Sequence, residues 1–138
     1  MKEFVTYLNF DGNTREAMQF YARCFGGDLS LMPFSEMQGA DIPAELKDRI
    51  MHARLSKGTA VLLMASDTMP GQGFPFQQGN NFSVMIACES VEEIDKLFAA
   101  LSQNGQVKMP LQNTFWAARF GMLTDQFGIN WMLNFEKP

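Results

Sequence analysis

The chain has 138 residues and a mass of 15.6 kDa, the usual size of one domain. With 46% hydrophobic and 19% charged residues its composition is globular, and a formal charge of -4 with scattered basic residues excludes a nucleic-acid footprint or attraction to an anionic membrane. No stretch approaches the roughly 18 consecutive apolar residues of a membrane span, and Met1-Lys2-Glu3-Phe4 leads straight into a strand-like segment with no signal-peptide core, so a cytoplasmic protein is expected.

In chain order, Phe4 to Phe10 alternates as a short strand. A helix follows, with Asn13 as cap, Glu16 three residues on, an apolar stripe of Met18, Tyr21, Ala22 and Phe25, and a Gly26-Gly27 stop. Asp28 to Phe34 is extended. Ser35 to Leu46 is irregular and holds Gly39 and Pro43, and loops of that length are mobile or functional. Ile50 to Ser56 then turns through Lys57-Gly58 into Thr59 to Ala65 as a hairpin. Two prolines and three glycines between Asp67 and Gly79 mark a linker, about 68–79.

The second half repeats this grammar. Asn81 to Cys88 is a strand, and Ser90 caps a helix with Glu93 in its first turn. Ile94, Leu97, Phe98 and Leu101 form the stripe, and Asn104-Gly105 ends it. Gln106 to Phe115 is extended, and Ala118 to Thr124 turns through Gln126-Phe127-Gly128 into Ile129 to Phe135. The prediction is therefore a single α+β domain, 1–138, built from module 1 (about 1–67) and module 2 (about 80–138). Laying Gly58 on Gly128 brings Val61 onto Trp131, Leu63 onto Leu133 and Ala65 onto Phe135.

Strand alternation assigns faces. Phe4, Leu8 and Phe10 oppose Val5, Tyr7 and Asn9. In the fifth strand Phe82, Val84 and Ile86 pack under a helix, leaving Asn81, Ser83 and Met85. In the eighth Trp131, Leu133 and Phe135 point inward, leaving Asn130, Met132 and Asn134. Small, amide, phenol and thioether groups on the face away from the helices suit a small organic ligand.

Several residues admit a bland reading beside a chemical one. His52 is the sole histidine, so any catalytic dyad or triad must use it; it is structural, or it is a general base, the role for which imidazole is best suited near neutral pH. Glu36, Asp41, Glu45 and Glu89 fall in loops or caps, and Asp67 and Asp125 lie at strand ends, where turn capping is the expected role. Met51, Met64, Met85, Met122 and Met132 are core filler or a deformable lining. Trp116, with Phe115 and Arg119, either stacks on a planar ligand or anchors the hairpin or a dimer contact. Gly71 and Gly73 form no phosphate loop, because no strand leads in and no helix follows. Cys24 and Cys88, far apart among apolar neighbours, read as two buried thiols.

The pattern resembles the vicinal oxygen chelate superfamily of glyoxalases, bleomycin-resistance proteins and extradiol dioxygenases, and within it the PhnB-like branch. Tyr7-Leu8-Asn9-Phe10, Phe20-Tyr21, His52-Ala53-Arg54-Leu55 and Ser66-Asp67-Thr68-Met69-Pro70 carry the resemblance in the first half. Thr114-Phe115-Trp116-Ala117-Ala118-Arg119-Phe120-Gly121, Thr124-Asp125-Gln126-Phe127-Gly128 and Trp131-Met132 carry it in the second. It implies two tandem βαβββ modules whose curved mixed sheets surround a cavity, and a homodimer. Metal-dependent members place four ligands, usually His and Glu, on the first and last strand of each module. Those places fall here on Tyr7 (less well Thr6), Leu62, Ser83 and Met132, none of which suits a hard or borderline divalent ion.

The expectation is a metal-independent protein that binds a small organic molecule, with no cofactor, in a pocket lined by Tyr7, Asn9, Leu62, Ser83, Met85, Trp116 and Met132. One alternative is an enzyme of the lyase, isomerase, dioxygenase or methyltransferase type, with His52 the weak catalytic candidate. A dimeric interaction protein without a pocket ligand is the other.

Overall fold

Helix start signals, glycine stops and hairpin turns set the element order of the computed structural model, which describes residues 1–37 and 41–136. Gly39, in the predicted irregular stretch, lies outside the described residues. The chain divides into two compact units, Met1–Gln77 and Gln78–Pro138.

Unit 1 runs β1 (Tyr7–Phe10), α1 (Thr14–Phe25), β2 (Asp28–Pro33), β3 (Ile50–Lys57) and β4 (Ala60–Asp67), with short 3-10 turns at Phe34–Glu36 and Ala44–Leu46. Its sheet has the order β1-β4-β3-β2, with β1 parallel to β4 and the other pairs antiparallel. Unit 2 repeats the plan as β5 (Val84–Ala87), α2 (Val91–Leu101), β6 (Gln106–Gln112), β7 (Arg119–Thr124) and β8 (Asn130–Phe135), in the order β5-β8-β7-β6 with β5 parallel to β8. Two βαβββ modules, each an α+β layer pair, are what the repeat predicted.

Each helix covers one face of its own sheet: α1 packs on β2, β3 and β4, and α2 on β7 and β8. Ala17, Met18 and Tyr21 of α1 meet a layer of Leu8, Ala53, Leu55, Leu63 and Ala65, all buried. In unit 2, Ile94, Phe98 and Leu101 meet Leu123, Trp131 and Leu133. Gly121 is required in that layer, since a Cβ there would lie 2.7 Å from the Phe98 ring and 2.9 Å from Leu111. Burial of these apolar side chains, each worth about 1.5–3 kcal/mol, holds helix to sheet.

Several boundaries differ from the alternation reading. β1 begins at Tyr7 rather than Phe4, and β5 at Val84 rather than Asn81, because only those residues find a parallel partner on β4 and β8. Phe4 and Phe82 are therefore 91% and 62% exposed instead of packed under a helix. β6 ends at Gln112, short of Phe115, after two register shifts against β7. Phe135 is half-buried rather than inward, and the first hairpin turns at Gly58-Thr59 rather than Lys57-Gly58.

Capping also departs from expectation in one half. Ser90 Oγ accepts from Glu93 N–H at 3.1 Å, and the Glu93 carboxylate reaches back to Glu89 N–H at 2.8 Å, a local cap as predicted. Asn13 occupies the equivalent place on α1, yet its side chain makes no capping bond. Asp67, at the end of β4, does that work from 53 residues away in sequence: its Oδ1 accepts from Thr14 N–H, Thr14 Oγ1–H and Gly12 N–H at 3.0, 2.7 and 2.9 Å.

Candidate functional site

The helix-free face of the unit 1 sheet carries Tyr7, Asn9 and Leu62, that of unit 2 carries Met85 and Met132, and cross-strand register sorts them into rows. On unit 1, Tyr7 lies opposite Met64, Met64 opposite Arg54, and Arg54 opposite Ser30. The next row joins Asn9 to Ser66, and His52 to Met32. Tyr7 is 44% exposed, and its hydroxyl shares a 3.3 Å hydrogen bond with His52 Nδ1, the rings lying 5.9 Å apart. Tyrosine and histidine, from strands with β4 between them, thus form one polar cluster. Leu62 is half-buried on the same face, one step further along β4.

On unit 2 the matching row is Met85, Met132, Met122 and Met109, one methionine from each strand. Their thioethers make a polarizable, deformable floor. Trp116, in the loop between β6 and β7 and 51% exposed, stands edge-on to Phe120 at 5.6 Å. Ser83 precedes β5 and is exposed. Asn134, expected to be open to a ligand, is instead 7% exposed, and its Oδ1 has no hydrogen-bond partner among the described residues. An unpaired buried acceptor costs about 1–3 kcal/mol. Asn134→Leu is therefore expected to raise stability by about 1 kcal/mol, shifting the thermal midpoint up by about 3 °C. A lower midpoint in a calorimetric melt would show that Oδ1 is paired in solution.

These registers correct the repeat alignment. The glycine that follows each helix abuts a carbonyl of the facing strand: Gly27 meets Ser56 O, and Gly105 meets Thr124 O. Ser56 thus corresponds to Thr124, and Met64, Arg54 and Tyr7 correspond to Met132, Met122 and Met85. The Gly58-on-Gly128 alignment is two residues out of step, which preserves the face but shifts the row. Reading the superfamily's metal places by register replaces Leu62 with Met64 and Ser83 with Met85. Neither the phenol and thioether of unit 1 nor the two thioethers of unit 2 suit a hard or borderline divalent cation any better than the residues they replace. Among the described residues no three of His, Cys, Asp and Glu come together as a metal cluster.

The remaining candidates are placed as follows. Asp67 and Asp125 are capping residues, both buried. Asp11 bonds Arg49 and Thr68, which hold its carboxyl below the usual range. A hollow of about 490 Å³ lies under the 68–76 loop between Asp11 and Phe74 and contains none of the predicted pocket residues. Cys24 and Cys88 are free thiols. Burial, with a smaller contribution from the Glu93 carboxylate, pushes the Cys88 thiol up to about 11. Since thiolate is the reactive form, Cys88 is expected to resist iodoacetamide at pH 8, where about one molecule in a thousand is ionised, and to react faster as pH rises toward 11. Because the folded state holds the thiol above its ordinary value of 9.0, this group's contribution to stability is intact below pH 9 and is lost as pH climbs to about 11. Mass-spectrometric labelling rates across that range test the shift, and equal rates at pH 8 and pH 10 would refute it.

Arg54 and Met109 stand on the helix-free faces without being among the predicted lining residues. Arg54 alternates in step with His52 on the same strand, a signal that was available.

Among known proteins, the chain matches the family model described as 3-demethylubiquinone-9 3-methyltransferase over residues 2–134. It is 33% identical to Protein YjdN of Escherichia coli (strain K12) over 141 residues, covering 95% of this chain and 93% of that protein. The crystal structure of protein PA1353 from Pseudomonas aeruginosa is similar along 100% of both chains, at 44% identity and a TM-score of 0.88. A protein of Bacillus cereus named as a putative 3-demethylubiquinone-9 3-methyltransferase, PhnB protein, is 28% identical with a TM-score of 0.73, covering 97% of this chain and 99% of its own. A glyoxalase/bleomycin resistance protein/dioxygenase family enzyme from Burkholderia phytofirmans PsJN, at 16% identity and a TM-score of 0.64, shares the fold.

Proposed function

We infer that this chain, which belongs to the PhnB-like family described as 3-demethylubiquinone-9 3-methyltransferase and has the glyoxalase/bleomycin-resistance/dioxygenase fold, is a small-molecule-binding protein that works without a bound metal ion. The observation that carries this reading is the donor set. At the positions the superfamily resemblance gives to metal ligands, unit 1 carries Tyr7 beside Met64 and unit 2 carries Met85 beside Met132, side chains suited to organic molecules through stacking, dispersion and single hydrogen bonds. Asn9 and Leu62 extend the proposed binding face of unit 1, and Ser83 and Trp116 that of unit 2.

A homodimer in the cytoplasm belongs to the same reading. Phe4, Phe74 and Phe115 are each more than 90% exposed, the kind of apolar surface that a second copy covers, and two free thiols accord with a reducing compartment. No helix among the described residues is long and apolar enough to cross a membrane.

One observation favours a second reading. The Tyr7–His52 hydrogen bond places a base beside a phenol on the candidate binding face, an arrangement able to move a proton. The fold alone licenses no methyl transfer or other named reaction.

A thermal-shift screen of metabolites and antibiotics, with elemental analysis of gently purified protein, tests both readings. A ligand at a hundredfold excess over its Kd is expected to stabilise the protein by about 2.7 kcal/mol and to be recovered unchanged. Stoichiometric zinc, nickel, manganese or iron would overturn metal independence. Product formation that His52→Ala abolishes would establish the enzyme instead.

A further inference from the structure

The corresponding rows of the two sheets have taken opposite chemistries. Where unit 2 presents Met85, Met132, Met122 and Met109, unit 1 presents Tyr7, Met64, Arg54 and Ser30. Arg54 stands at the place of Met122, on an inner strand, with β4 on one side and β2 on the other. His52 precedes it by two residues, hence on the same face about 7 Å away along the strand. Arg54 is exposed, and its side chain makes no ion pair or hydrogen bond among the described residues. Asp28, opposite Ser56 near the end of this face, does not pair with it. The chain carries 15 acidic against 11 basic side chains, so carboxylates are plentiful, yet among the described residues none pairs with this guanidinium.

A guanidinium presents a planar fork of donors that matches two oxygens of a carboxylate or phosphate, and the Tyr7–His52 pair adds hydrogen-bonding capacity beside it. We propose that the helix-free face of unit 1 recognises the anionic end of the small molecule, a carboxylate or phosphate ester whose oxygens engage Arg54 next to Tyr7 and His52. This rests on the small-molecule reading and narrows it to anionic ligands.

Benzoate, phenyl phosphate and benzamide share a ring and differ in the group it carries. Their titrations into wild type, Arg54→Met and Arg54→Lys, followed by backbone-amide NMR, form the test. At least one anion is expected to bind about tenfold more tightly than neutral benzamide, the difference one charge-assisted bond supplies. Its shifts should centre on β1, β3 and β4, and the tighter of the two anions distinguishes carboxylate from phosphate. Arg54→Met, which copies the unit 2 residue, is expected to erase the preference by weakening the anion about tenfold and benzamide by less, and Arg54→Lys to restore part of it. Equal binding of anions and benzamide, a preference that survives Arg54→Met, or shifts confined to unit 2 would overturn the proposal. A neutral hit in the metabolite screen without anion preference sinks this inference alone; a screen with no binder of any charge sinks the functional reading with it.

Discussion

Asp67→Ala is expected to destabilise the protein by about 3–4 kcal/mol, more than most single substitutions. The carboxylate is 5% exposed and accepts four hydrogen bonds: from Gly12 N–H, Thr14 N–H and Thr14 Oγ1–H on one oxygen, and from Ile50 N–H at 2.7 Å on the other. Bonds to a charged acceptor contribute about 1.5–3 kcal/mol each, and their sum is reduced because they share one anchor. Truncation strands three backbone donors at the start of α1 and the start of β3, where burial keeps water from replacing the lost acceptor. Asp67→Asn preserves shape and one acceptor oxygen but turns an NH₂ toward the remaining donors, so it should recover less than half of the loss. Urea unfolding of the three proteins measures this, and a loss below about 1 kcal/mol for the alanine variant would refute the capping role.

Asp125→Ala comes next, at about 3 kcal/mol. Oδ1 of this 3% exposed residue accepts from Phe127 N–H and Ile129 N–H, closing the β7–β8 turn, while Oδ2 accepts from the indole N–H of Trp131 at 2.8 Å. Trp131 is 2% exposed, so its N–H has no water to turn to once the carboxylate is gone. Fluorescence in a Trp116→Phe background isolates Trp131, and the variant should show both an earlier unfolding midpoint and a changed native emission. An unaltered midpoint would mean that the turn is held by other contacts.

Periodicity and punctuation were enough to read two helices, eight strands and their tandem order, because apolar spacing, Gly26-Gly27, Asn104-Gly105 and the hairpin turns are local signals. The face of each strand residue was readable too, since alternation fixes parity. Row was not. Which residue of β4 stands beside Arg54 depends on the turn after Lys57 and on the register shift between Leu55 and Ser56, and neither is expressed in parity. Strand ends at Phe4, Phe82 and Phe115 were overextended because alternation continues where pairing has stopped. The replacement of Asn13 by Asp67 as cap was invisible for a different reason: it joins residues more than 50 positions apart, and Asn13 satisfies the local rule perfectly well. Face assignment alone makes part of the candidate site legible, while Arg54 looks like an ordinary charge on an exposed strand face and carries no local signal of the role proposed for it.

The two capping schemes also imply an order of events as the chain folds. Helix α2 carries its stop against fraying within four residues, from Glu89 to Glu93, so its first turn forms without waiting for any strand. Helix α1 receives its cap only after β4 has arrived to close a loop of more than 50 residues, an entropic toll that comes before the reward. The second module should therefore gain structure early and locally, and the first late and all at once. Amide exchange at Thr14 should then follow the opening of the whole first sheet rather than fraying of a helix end.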